Sequence, residues 1–301
     1  MSAPGPSGLF VRHWPVPTGH SIRAMIVLVH GLGEHIGRYE RLAKQLNTWG
    51  FAVLGYDQYG HGQSRGDRGA MPTDTRLTDD LYAMLTLARQ RVPDYTPLVL
   101  LGHSMGGLVA SLAVALNPEC VDGLILSSPA LDPGLNAFQK FLVTVLPPVL
   151  PSLRVSNGLN PEYISHDHAE IEEYKQDPLV HDRISARLAG FIADQGPVVI
   201  EQAPLWQVPT LLMYAGQDKL VSPEGSRNFA RAAPVAWVTT KRFDSLYHEL
   251  FNEIQTGRED VLATLKRWLN EHFPMFQDEK RPNLQEIRAK LEREQQSALG
   301  Q

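Results

Sequence analysis

The feature that most constrains the fold is a short glycine-rich motif near the middle of the chain. Its sequence is Gly102-His103-Ser104-Met105-Gly106-Gly107, and it separates two apolar runs, residues 97–101 and 108–116. The first run has the length of a buried strand. The second has the length of a buried helix and stops at Asn117-Pro118, because proline cannot continue a helix. The motif therefore predicts a sharp strand-to-helix turn that exposes the hydroxyl of Ser104.

The spacing of the glycines in this motif has a physical reason. Strand and helix pass close to each other at such a turn, so the positions two before and two after the serine, Gly102 and Gly106, must be small. The helix N-terminus also directs backbone N–H groups at negative charge that develops beside the serine. These features favour a nucleophilic serine. The alternative is an ordinary tight turn with an exposed serine, and the rest of the chain must decide.

The segments on both sides of the motif alternate between predicted strands and helices. Continuous aliphatic runs predict buried strands, and apolar residues at helical spacing predict the helices between them. The alternation predicts an α/β fold with a mostly parallel, doubly wound sheet. The predicted strands are residues 9–14 as an edge strand, then 25–29, 51–56, 97–101, 123–127, 210–215 and 235–240; the helices are 39–49, 78–91, 108–116, 223–232 and 258–272.

The alternation is interrupted once, between about residues 130 and 206. This stretch is too long for a plain loop, contains Pro147-Pro148 and has no charged residue in 141–153. We interpret it as a mostly helical cap, inserted after the strand that follows helix 108–116. The strand-to-helix turn at Ser104 that precedes this helix is called the elbow. The predicted division is a core of residues 1–129 and 207–274, a cap of residues 130–206, and a charged C-terminal helix or tail of residues 275–301.

Composition narrows the classes of partner and the compartment. The net charge is −5 and the charges are dispersed, which gives no sign of nucleic-acid binding. The single cysteine, Cys120, excludes an internal disulfide and fits a reducing compartment. The N-terminal residues have no secretory pattern, and no apolar run approaches 18 residues. We expect a cytoplasmic protein, and no motif implies a cofactor or a metal ion.

A nucleophilic serine needs a histidine to accept its proton and a carboxylate to orient that histidine. In hydrolases with such an elbow, the chain order is serine, acid, histidine. Of the eleven histidines, His248 has the right place, after the last predicted strand and before the last predicted helix. Asp218 follows the strand at 210–215 and is the predicted acid. Asp132, after the preceding strand, is the alternative.

Three other polar residues near these positions are predicted not to take part as base or acid. His103 adjoins the serine but is expected to point the other way around the turn. Asp244 and Glu249 lie too close to His248 in the sequence to approach its Nδ1 atom well.

An oxyanion hole needs two backbone N–H groups. One is predicted to be that of Met105, the residue after the nucleophile. The other is predicted to be that of Leu32, in the glycine-rich loop His30-Gly31-Leu32-Gly33 after the strand at 25–29. The alternative for this loop is a glycine turn required only for packing.

Six short segments stand together in one order along the chain. They are His30-Gly31-Leu32-Gly33-Glu34-His35, Gly37-Arg38-Tyr39, Gly60-His61-Gly62-Gln63-Ser64, Gly102-His103-Ser104-Met105-Gly106-Gly107, Gly216-Gln217-Asp218 and Tyr247-His248-Glu249. In this arrangement the chain resembles the monoacylglycerol lipases of the α/β-hydrolase superfamily, a group that includes lysophospholipases. The resemblance covers about residues 25–273 and extends into the cap at 174–180.

The resemblance implies a serine esterase that hydrolyses monoacylglycerols to glycerol and a fatty acid, with a cap whose apolar surface meets lipid. It also makes Glu34 and Arg38 candidates for the polar end of the substrate pocket. A structural ion pair beneath the oxyanion loop explains these two residues equally well. The chain departs from the animal members because it lacks the further histidine that they carry three residues after the base, His248.

In the cap, Phe138 and Leu142 belong to an apolar stretch with helix-compatible spacing as far as Pro147. They are candidate contacts for an acyl chain, since an apolar tunnel would favour lipids over short esters. Packing of the cap onto the sheet is the alternative explanation.

Other functions remain open from the sequence. A lysophospholipase or a general carboxylesterase would use the same three side chains. A peptidase is less favoured, because no carboxylate cluster for a substrate amino group is evident, although the cap could hide one. A non-catalytic binding protein on the same fold would need a broken triad. Transient contact of the cap with a membrane surface is an expectation, and the oligomeric state is left open.

Overall fold

In the computed structural model, which describes residues 2–17 and 21–275, an eight-stranded sheet forms the centre of the molecule. Its strand order is β1-β2-β4-β3-β5-β6-β9-β10, and β7 and β8 form a separate pair. In the eight-stranded sheet, β2 is antiparallel to both neighbours and the other adjacent strands are parallel, whereas β7 and β8 are antiparallel to each other. The strands are β1 (Ser2–Pro4), β2 (Phe10–Trp14), β3 (Ala24–Val29), β4 (Phe51–Tyr56), β5 (Leu98–His103), β6 (Gly123–Ser127), β7 (Arg154–Ser156), β8 (Arg183–Ser185), β9 (Thr210–Ala215) and β10 (Val238–Phe243).

Helices cover both faces of the sheet, which explains why its central strands are apolar at every position. In β3, Met25 and Val27 face one hydrophobic cluster, while Ile26 and Leu28 face the other. Helices α2, α3 and α6 contribute to the first cluster, and α1 and α8 to the second. The helices are α1 (Glu40–Thr48), α2 (Arg76–Arg89), α3 (Met105–Leu116), α4 (Ala137–Val149), α5 (His168–Gln176), α6 (Ala186–Gln202), α7 (Pro223–Ala232) and α8 (Gln255–His272).

The segment between β6 and β9 contains α4, the β7–β8 pair, α5 and α6. Helix α6 packs directly on the core, since Leu188 and Val199 are fully buried in the same cluster as the sheet. Gly196 permits this packing, because a side chain there would collide with the carbonyl oxygen of Leu131. The segment therefore shares the hydrophobic core of the sheet. The domain limits at 130 and 206 stay a prediction.

Several element boundaries differ from the sequence expectations. The last strand begins at Val238, three residues later than expected, because the N–H groups of Trp237 and Val238 are used in a turn with the Pro234 carbonyl oxygen. Strand β2 is not an edge strand, since β1 pairs with its outer side. Helix α4 continues past Pro147 to Val149. Of the predicted C-terminal segment, residues 276–301 lie outside the described residues.

Within the described part of the chain, no helix combines the length and the apolar character that a membrane crossing would require.

Candidate active site

The turn between β5 and α3 has the strained geometry that the glycine motif predicts. Ser104 has φ 53° and ψ −121°, an unfavourable region for a residue with a side chain, which costs about 1–3 kcal/mol. A Cβ atom at Gly102 would lie 2.5 Å from the Gly106 carbonyl oxygen. One at Gly106 would collide with the carbonyl oxygen of Val29. Both glycines are therefore required by the close approach of strand and helix.

Hydrogen bonds to its backbone hold Ser104 in this conformation. Its N–H donates to the carbonyl oxygen of Ser127 at 3.0 Å. Its own carbonyl oxygen accepts from the N–H groups of Leu108 at 3.1 Å and Ala130 at 2.9 Å. The first turn of helix α3, the strand β6 and the segment after it therefore fix the position from which the hydroxyl projects.

The structure brings Ser104, His248 and Asp218 together. The Nε2 atom of His248 lies 2.8 Å from Ser104 Oγ, and its Nδ1 atom lies 2.6 Å from Asp218 Oδ2. The other oxygen of Asp218 accepts from the N–H groups of Leu220 and Val221, each at 2.9 Å. With a proton on Nδ1 held by Asp218, Nε2 of His248 is free to accept the proton of the serine.

Asp218 and His248 each stabilise the charged form of the other in this buried site. Burial alone raises the pKa of Asp218, but the charge and hydrogen bond of His248 and two backbone N–H groups bring that pKa below its usual value. Burial alone lowers the pKa of His248, but Asp218, with smaller contributions from Glu249 and Glu34, raises it above its usual value. Asp218 is therefore ionised at neutral pH, and His248 is a stronger base than a free histidine.

The competing carboxylates are engaged elsewhere. Asp132, the alternative acid, accepts a hydrogen bond from the N–H of Gly134 at 2.9 Å. Asp244 pairs with Arg242 at 2.8 Å. Neither has a hydrogen bond to His248 among the described residues. The geometry selects Asp218 as the carboxylate that orients this imidazole.

His103 lies beside the base, and the expectation that it points away is wrong. Its ring centroid is 4.7 Å from that of His248. Burial, together with the neighbouring charge of His248, lowers the pKa of His103 to about 4. It is therefore neutral at pH 7, and its Nδ1 atom lies 3.0 Å from the carbonyl oxygen of Ser127, to which it donates when protonated there. His103 thus packs against the base without adding a competing charge.

The two residues that carry the predicted oxyanion donors, Leu32 and Met105, line the same cavity as Ser104. Among the described residues, neither backbone N–H has a protein acceptor, so both can bind an oxygen of a ligand. Gly33 shapes this loop with φ +78°, and a side chain there would approach the His181 carbonyl oxygen to 2.5 Å. The arrangement is suited to hold an oxyanion next to Ser104.

Glu34 and Arg38 form a buried ionic network beneath that loop. Glu34 Oε1 accepts from the Gly31 N–H and the Tyr39 hydroxyl, both at 2.6 Å, and Oε2 accepts from Arg38 at 2.8 Å. Arg38 also donates to both oxygens of Glu249, at 2.6 and 2.8 Å. The network therefore joins the oxyanion loop to the residue that follows the base.

This network also sets the charge of Glu34. Burial alone raises the pKa of Glu34, but Arg38, the neighbouring histidines and the Tyr39 hydroxyl lower it to about 2. Glu34 lines a small chamber next to Ser104, whereas Arg38 lines neither cavity that adjoins the serine. Direct substrate contacts by these two residues stay a prediction.

Two cavities meet at Ser104. The larger has a volume of about 460 Å³ and extends beneath the cap. Its described lining is mostly apolar, includes Leu142, and contains one charged residue, Lys219. The side chain of Phe138 lies outside the described part of the structure. The smaller cavity, about 30 Å³, lies on the side of His248 and contains Glu34, Glu249 and Tyr174.

No group of three or more His, Cys, Asp or Glu side chains is arranged to hold a metal ion within residues 2–17 and 21–275.

Sequence reasoning missed the role of Glu249 in this site. Glu249 is separated from Arg38 by 211 residues, and only folding brings their charges together. The sequence analysis considered Glu249 only as a carboxylate that could orient His248, and nothing in the sequence indicates Arg38 as its partner.

Comparison with known proteins places the chain in a family. A family model described as serine aminopeptidase, S33, matches residues 20–255. The chain belongs to this family. The human monoglyceride lipase is 31% identical over 87% of this chain and 87% of its own length. A solved structure of the monoacylglycerol lipase from Paleococcus ferrophilus is 33% identical, with a TM-score of 0.79 over 88% of this chain and 99% of that chain.

One further relative is longer. An abhydrolase domain-containing protein of Dictyostelium discoideum is 33% identical over 85% of this chain, which spans 27% of that protein. Together, these similarities confirm two predictions, the α/β-hydrolase fold and membership of the monoacylglycerol lipase group of serine ester hydrolases.

Proposed function

We propose that this protein hydrolyses monoacylglycerols to glycerol and a fatty acid through an acyl-enzyme on Ser104. The observation that carries the proposal is the continuous hydrogen-bonded chain from Ser104 through His248 to Asp218, placed at the end of an apolar cavity of about 460 Å³. The similarity to monoacylglycerol lipases over most of the chain supports the same substrate class.

The first half of the reaction transfers the acyl group to the enzyme. His248 Nε2 takes the proton of Ser104 while Oγ attacks the ester carbonyl carbon. The N–H groups of Leu32 and Met105 bind the resulting oxyanion, and each lowers the barrier by roughly 3 kcal/mol. When the tetrahedral intermediate collapses, His248 gives its proton to the ester oxygen, and the alcohol leaves.

The second half releases the fatty acid. A water molecule loses a proton to His248 and attacks the carbonyl carbon of the acyl-enzyme. His248 then returns the proton to Ser104 Oγ as the fatty acid departs. Throughout, Asp218 holds the imidazole in the required tautomer and stabilises its positive charge.

The two cavities fit the two parts of such a substrate. An acyl chain of a dozen carbons can enter only the larger one, where each buried CH₂ contributes up to about 0.8 kcal/mol. Leu142 lines this larger cavity. His248 lines the smaller chamber, so the alcohol that receives its proton departs on that side.

Peptidase activity has less support, although the family description names an aminopeptidase. Recognition of a free amino terminus needs an available carboxylate. The described lining of the large cavity has none, and both carboxylates of the small chamber are already paired with Arg38.

We also propose that the cap contacts a lipid surface while substrate enters. Apolar side chains on α4 and the residues that follow it are exposed, up to 70% for Val149. Their neighbours Leu142 and Leu146 line the large cavity, so one apolar segment connects the outside to the site. The exposed residues are Phe141, Val145, Val149, Leu150, Leu153 and Val155. Peripheral association of a cytoplasmic enzyme stays a prediction.

The test is a substrate panel of mono-, di- and triacylglycerols, lysophospholipid and short esters, with Ser104→Ala as the control. We expect the highest kcat/KM on monoacylglycerol, and a loss of about 10⁴-fold or more in Ser104→Ala with unchanged circular dichroism. A fluorophosphonate probe should label Ser104. Absence of monoacylglycerol turnover would exclude the substrate, and esterase activity retained in Ser104→Ala would exclude the nucleophile.

A further inference from the structure

The small chamber beside Ser104 is where the leaving alcohol must depart. His248 lines this chamber but not the large cavity, and the base must deliver its proton to the leaving oxygen. The chemistry of the chamber walls therefore acts on the alcohol portion of the substrate. This step rests on the proposed function, in which Ser104 cleaves an acyl ester.

The charged groups in the walls of this chamber are acidic. Glu34 and Glu249 both line it, with 2% and 6% of their surface exposed. One guanidinium, that of Arg38, compensates for the two carboxylates, and it lies outside the chamber lining. The arrangement leaves a net negative charge facing the leaving group.

Both carboxylates form ion pairs with Arg38. Glu34 accepts hydrogen bonds from the Gly31 N–H, Arg38 and the Tyr39 hydroxyl, and Arg38, the neighbouring histidines and Tyr39 keep its pKa near 2. Glu249 accepts from both terminal nitrogens of Arg38 and from the amide of Asn252 at 2.8 Å. A carboxylate that accepts two parallel guanidinium hydrogen bonds is in its charged state.

The basic side chains in the described lining are those of His103, which is neutral at pH 7, and His248, whose positive charge during the reaction is paired with Asp218. The donors of Arg38 are turned towards the two carboxylates, and Lys219 lines the acyl cavity instead. An anionic group brought into the chamber would lose its water shell beside two like charges. A neutral alcohol would instead find carboxylate oxygens that can accept its hydroxyl hydrogens.

We propose that Glu34 and Glu249 make this enzyme selective against esters with anionic leaving groups, so that acylglycerols are cleaved and lysophospholipids with an anionic glycerophosphate are rejected. Glu249 adds the second carboxylate directly after the base. The two carboxylates would distinguish the two substrate classes that the same triad can cleave.

The experiment compares two pairs of esters in which one member has a neutral leaving group and the other an anionic one, and the effect of each variant is read from the change in the ratio within a pair. One pair is 1-oleoylglycerol and 1-oleoylglycerol 3-phosphate. The second pair is the butyrates of methyl 4-hydroxybenzoate and of 4-hydroxybenzoate. We expect the wild-type protein to prefer the neutral member of the lipid pair by about 100-fold in kcat/KM. Glu249→Gln should reduce the preference in each pair by about tenfold, since it removes one charge but keeps an acceptor for Arg38.

Glu172→Gln is the matched control, because it removes the same charge from an exposed position on α5, where Glu172 pairs with Lys175. It should leave both preferences unchanged.

A loss of structure in Glu249→Gln would lower the rates of both members of a pair equally and leave their ratio constant. That result would overturn the proposal, as would equal wild-type cleavage of neutral and anionic members. If oleoylglycerol is not cleaved but the aryl pair shows the charge effect, the proposed function fails and the selectivity stands.

Discussion

The polar floor of the site and its apolar roof are built in different ways. On the floor, the side chains of Asp218 and His248 and those of Glu34 and Arg38 are buried, and the members of each pair are joined by a hydrogen bond of 2.6 or 2.8 Å. On the roof, α4 presents apolar side chains, some lining the cavity and others, such as Val149, exposed. The difference indicates a division of work. We expect the floor to carry out bond cleavage and to act on the alcohol portion of the ester, and the roof to select the acyl chain and its source.

If the floor sets the chemistry, Asp218→Asn should have the largest effect of the substitutions below, about 10⁴-fold in kcat, on long and short esters alike. The asparagine amide donates towards Nδ1, so His248 takes the tautomer that cannot accept the serine proton. Steady-state assays on butyrate and oleate esters measure this loss of kcat. The control is Asp132→Asn, which should change kcat by less than about threefold. A larger effect at Asp132 would reassign the acid.

The floor should also determine the dependence of the rate on pH. Because the pKa of His248 is raised above its usual 6.5, its neutral form is lost as the pH falls through a value above 6.5. Below that point kcat/KM should fall about tenfold per pH unit, with the same midpoint for short and long esters. A profile that stays flat down to pH 5 would contradict His248 as the base.

The roof should respond differently. Leu142→Trp narrows the large cavity and should lower kcat/KM for long acyl chains by about tenfold, because overpacking costs roughly 1–3 kcal/mol. Turnover of a water-soluble butyrate should stay within about twofold of wild type. Equal losses on both substrates would mean that Leu142 supports the floor, and that the two regions are not separate.

The smallest expected effect concerns the outer surface of the roof. Val149→Asp should lower turnover of monoacylglycerol presented in anionic vesicles by about threefold to tenfold, since it places a charge in the proposed lipid contact. Activity on a dissolved butyrate should be unchanged. The matched control is Val235→Asp, a valine that is 91% exposed in the turn before β10 and remote from the cap elements in sequence. If the two variants lose the same turnover on vesicles, the cap does not contact the lipid surface.

The agreement between sequence and structure is best where local chemistry allows one solution. The apolar run at 25–29 became β3, since a run buried on both faces suits only a central strand. The elbow was predictable from Gly102 and Gly106, because their spacing leaves no room for side chains. The start of β10 was missed because the turn after Pro234 depends on backbone hydrogen bonds that composition does not reveal.

Agreement is poorer where a contact joins distant parts of the chain. The chain order predicted that Ser104, Asp218 and His248 lie together, since each follows the end of a strand and parallel strands end at one edge of the sheet. The order left Asp132 open as the acid, and the hydrogen bond between Asp218 and His248 favours Asp218. The contact between His103 and the base, His248, was not predictable, because the direction of the His103 side chain depends on packing across that edge of the sheet.

The sequence alone determined the strained serine, the order of its partners and the alternating core, because these depend on spacing within strands, turns and helices. Tertiary structure decided which charges surround the alcohol side of the substrate. Arg38 and Glu249 are 211 residues apart in the sequence, and their two hydrogen bonds exist only once the sheet has aligned the loops that carry them. It also decided the size of the acyl cavity, because that space forms only where the cap covers the strand ends.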